Sequence, residues 1–65
     1  MQIERARELL QVQLGFGSGY NRNAARLILA EVERVHGQAA VDRLIRELDL
    51  ENAFGLKPGT RFHRP

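Results

Sequence analysis

A chain of 65 residues without a single cysteine has to hold its fold by packing alone. Domains of this size bury only about 60% of the surface their unfolded chains expose, so their cores are marginal. Disulfides and thiolate metal sites, the common reinforcements, are excluded here. Two isolated histidines, His36 and His63, do not make a zinc site. What is left is good helix packing, self-association, or both. A hydrophobic share of 43% is that of an ordinary folded domain rather than a disordered one.

Glycines punctuate the chain, and the segments between them carry a helical period. Over residues 2–14, Ile3, Ala6, Leu10 and Leu14 recur at spacings of three and four, and Leu9 widens the stripe. Gly15 is expected to end this helix in the left-handed conformation, with Phe16 folding back onto Leu10. Val12 points away from the stripe, and Arg7 borders it with its stem along the apolar surface. Residues 15–23 read as a connector, with Phe16 and Tyr20 plugging the core and Asn21 or Asn23 capping the next helix.

The second helix is expected over 22–36. Ala24, Ala25, Leu27, Ile28, Leu29, Val32 and Val35 cover roughly 200° of it at 100° per residue, too wide for one neighbour. It should therefore touch the first and third helices at once, with Arg22, Arg26 and Glu33 on its wet side. Gly37 breaks it. A third helix over 38–48 presents Val41, Leu44, Ile45 and Leu48 as a compact stripe. Asp42 with Arg46, and Arg43 with Glu47, are opposite charges four apart on its outer side. Asp49 can cap one further turn through Leu50 to Phe54. Gly55 then ends that turn, Leu56 packs back on Leu50, and Lys57-Pro58-Gly59-Thr60 makes a turn. The expectation is an all-α fold: a three-helix bundle with a short C-terminal helical turn over 1–56, then a turn and a flexible basic tail over 57–65.

Charge separates along the same boundary. The ten basic and eight acidic side chains leave a net charge of +2. Residues 57–65 contain Lys57, Arg61 and Arg64 and no acid, a charge of +3; residues 1–56 therefore hold seven basic and eight acidic groups, a charge of −1. The body lacks the overall positive charge of many DNA-binding domains. A recognition-helix role for the third helix is disfavoured too, since Asp42 and Glu47 would face phosphates beside Arg43 and Arg46. The charged N-terminus lacks the apolar centre of a signal peptide, and no apolar run approaches the ~18 residues of a membrane span. A cytoplasmic protein without membrane contact is expected.

Three features could carry chemistry. The loop Gly15-Phe16-Gly17-Ser18-Gly19 precedes a helix that begins with Arg22 and Arg26, and glycines before a helix N-terminus can admit an anion. It follows a helix rather than a strand, and it lacks the Gly-Lys-Ser/Thr of a phosphate-binding loop, so it matches no nucleotide fingerprint. Ser18 has no histidine near it and no elbow motif. Glu47, Asp49 and Glu51 do not flank a pocket. No enzyme, cofactor or metal is expected.

Glu31 breaks the apolar arc of the second helix: its carboxylate reaches water, is neutralised by Arg7, or faces a partner chain. Large aliphatic residues are many for a thin bundle, and such a surplus tends to end on a shared interface. The leading expectation is a small non-catalytic protein that binds another protein or itself. Its arginine-over-lysine usage is suggestive of a bacterial source. A homodimer would use the first and second helices, through Val12, Leu29 and Glu31. The alternative is a nucleic-acid-binding regulator that contacts phosphates weakly through Arg22, Arg26, Lys57, Arg61 and Arg64.

Overall fold

Ala25, Leu29 and Val32 lie three and four residues apart, and all three are fully buried on one line of a central helix. The computed structural model describes residues 1–16 and 22–60. Among the described residues there are four helices and no strand: α1 (Ile3–Gly15), α2 (Arg22–His36), α3 (Gln38–Glu47) and α4 (Leu50–Phe54). The all-α bundle expected from periodicity is the fold observed. α2 packs against both α1 and α3, and α4 packs on α3. Ala6 and Leu10 of α1, Val41, Leu44 and Ile45 of α3, Leu50 and Phe54 of α4, and Leu56 complete one core. Ile3, Leu14, Ile28 and Leu48 pack at its edge. α1 and α2 run antiparallel, because the Met1 carbonyl accepts a hydrogen bond from His36 Nε2 at 2.6 Å, at the far end of α2.

The junctions are set by backbone. Gly37, at φ 93°, ends α2 with its N–H on Glu33 O at 3.0 Å and starts α3 with its carbonyl on the Val41 N–H at 3.4 Å. A side chain is disfavoured at that φ, so the immediate turn from α2 into α3 depends on glycine. At the end of α4 the Gly55 N–H bonds Glu51 O at 2.8 Å and the Leu56 N–H reaches back to Leu50 O at 3.3 Å, which leaves Leu56 buried over Leu50 as its sequence position suggested. The Lys57–Thr60 turn closes through Thr60 N–H on Lys57 O at 3.2 Å, with Gly59 at φ 87° after Pro58.

Several local expectations are corrected. Gly15 remains helical, and the cap is Phe16 in right-handed geometry (φ −85°, ψ −6°). Without a left-handed residue at Gly15, Phe16 continues in the direction of the helix. Phe16 then stands about 120° round the helix from Leu10, and it is 72% exposed instead of folded onto the core. Asp49 makes no side-chain cap; its backbone takes the left-handed conformation (φ 53°, ψ 47°) that lets α3 turn into α4, a geometry aspartate tolerates better than most residues. Asn23 lies inside α2 and so is not its cap. Asn21, Tyr20, the loop glycines Gly17 and Gly19, Ser18 and the segment 61–65 lie outside the described residues.

Leu29→Ala should destabilise the fold by about 2–5 kcal/mol, because it empties the line on which both neighbouring helices close. Leu27→Ala, two residues away and exposed, should change stability by no more than about 0.5 kcal/mol. Denaturant unfolding followed by circular dichroism measures both; equal losses would contradict the placement of the core.

Candidate interaction surface

The geometry of α2 decides which apolar side chains are left over. Leu27 stands 200° from Leu29 at 100° per residue, nearly opposite the core-facing line. The structure leaves Leu27 59% and Val35 46% exposed, although the sequence pattern had placed both in the buried arc. α1 and α3 both close on the Ala25–Leu29–Val32 line, so the packed arc is narrower than the apolar one. Leu29, expected at an interface, is instead fully buried in the core. Val12, expected off the α1 stripe, is 51% exposed. Phe16 and Met1 join it, and every exposed large hydrophobic residue among the described ones lies on α1, α2 or the residues flanking α1. α3 presents Ala39, Arg43 and Arg46 outward.

Glu31 sits on the same side of α2 as Leu27 and Val35, partly exposed. Its Oε2 accepts from Arg34 Nη2 at 2.6 Å, its Oε1 accepts from Arg34 Nε at 3.2 Å, and the Met1 ammonium is 3.9 Å away. The two-pronged guanidinium contact holds the Glu31 carboxyl below its ordinary range, against the opposing effect of partial desolvation. Arg7 does not neutralise Glu31. Its Nε stands 2.5 Å from Glu47 Oε2 and its Nη2 donates to Oε1 at 3.2 Å, which ties α1 to α3. That ion pair also takes Glu47 from the expected contact with Arg43.

Asp42 makes a different bond from the one expected with Arg46. Its Oδ1 accepts from the Gly59 N–H at 2.7 Å and from Gln38 Nε2 at 2.9 Å, and the same Gln38 nitrogen donates to Thr60 O at 2.9 Å. These bonds fasten the Lys57–Thr60 turn to the first turns of α3. The Asp42 carboxyl is held below its ordinary range, first by Gln38 and then by Gly59.

The basic candidates are dispersed. Arg22 and Arg26 are exposed one turn apart on α2, and neither forms an ion pair among the described residues. Lys57 is exposed at the turn after α4. Arg61 and Arg64 lie outside the described residues. No group of three or more His, Asp or Glu among the described residues could hold a metal ion. No described helix is long and apolar enough to cross a membrane. The chain matches no protein-family model, and comparison with curated proteins and with solved structures finds no significant match.

The Asp42 contact predicts a pH effect whose sign follows from the lowered carboxyl. A group that ionises more readily in the folded state stabilises it above the unfolded-state value, and loses that contribution as pH falls through the folded value. The Gly59 amide resonance should therefore titrate with a midpoint below that of an ordinary aspartate. Asp42→Ala should destabilise the fold at neutral pH and flatten this acid limb. A Gly59 amide insensitive to acid would contradict the bond.

Proposed function

We propose that this chain is a non-catalytic protein-binding module that acts through the outer face of α1 and α2. One observation carries the reading: the exposed large apolar side chains gather on that one pair of helices, with an ion-paired Glu31 among them. Scattered exposed leucines are ordinary, whereas apolar groups concentrated on one side mark a contact surface. The non-catalytic part is supported by the burial pattern, since the described residues bury no polar or charged side chain. The groups that enzymes use as acids, bases or nucleophiles sit here on the surface, several of them bound to one another. A cytosolic setting agrees with the cysteine-free composition.

A second reading, weak phosphate contact by a nucleic-acid-binding regulator, draws on Arg22 and Arg26. They are exposed, one turn apart and free of ion pairs among the described residues. The tail charges Arg61 and Arg64 would add to them. Such binding would fall steeply with salt.

The test is photo-crosslinking in the native host, with a crosslinking amino acid replacing Leu27 in one variant and Arg43 in another. Protein adducts concentrated at position 27 are expected, because α3 presents no apolar surplus. Equal or absent adducts at both positions would overturn the reading. Binding of single-stranded nucleic acid that disappears in Arg22→Ala/Arg26→Ala and weakens with salt would favour the second reading instead.

A further inference from the structure

We draw no further inference here: the strongest candidate, the surface patch of exposed apolar side chains that Leu27 and Val35 of α2 and Val12 of α1 leave outside the core, carries nothing, because nothing in the structure shows what covers it.

Discussion

The structure depends on one line of small and branched side chains, Ala25, Leu29 and Val32, which both flanking helices use to bury their own apolar faces. In a chain with no disulfide, that shared line joins α1 and α3 into one core. The Arg7–Glu47 ion pair then bridges the outer helices directly. Gly37 is the backbone condition for the arrangement: its positive φ lets α3 begin one residue after α2 ends, so that α3 folds back against the helix it has just left.

The same concentration of packing on one line produces the exposed surface. α2 is apolar over a wider arc than two neighbours can cover, and Leu27 and Val35 are what remains. α1 contributes Val12, which stands nearly opposite its buried Ala6–Leu10 line, and Phe16, which keeps the helical direction because the helix continues through Gly15. Glu31, at the centre of this region, is held ionised by Arg34 and keeps the surface wet without leaving a charge uncompensated. On α3, Asp42 and Gln38 bind the Lys57–Thr60 turn and so fix its position against the helix.

Much of this was legible in the sequence. Glycine positions and periodicity located the helices to within a residue or two, the immediate α2–α3 junction, the central position of α2, and the return of Leu56 onto Leu50. What was not legible shares a cause: it depended on how neighbours divide a face. Leu27, Leu29 and Val35 all read as apolar on α2, and only the direction from which α1 and α3 approach sorts Leu29 inside and the other two outside. Partner choice among charges was likewise invisible. Asp42 had Arg46 four residues away, yet it binds backbone that the chain brings back after α4. Glu47 likewise binds an arginine on another helix. Spacing identifies neighbours on one helix; it carries no information on competitors from elsewhere in the fold. For the exposed apolar residues, the sequence supplied the surplus of aliphatic residues and Val12, and the structure supplied Leu27, Val35 and Phe16.

The central claim is that α2 has one face committed to the core and leaves a second apolar face uncovered. Solvent paramagnetic relaxation of methyl groups, recorded on dilute protein, tests it directly. The account predicts that Leu29 and Val32 methyls are shielded, whereas Leu27, Val35 and Val12 methyls are strongly relaxed. Leu27 and Val35 methyls shielded as well as those of Leu29 and Val32 would contradict it.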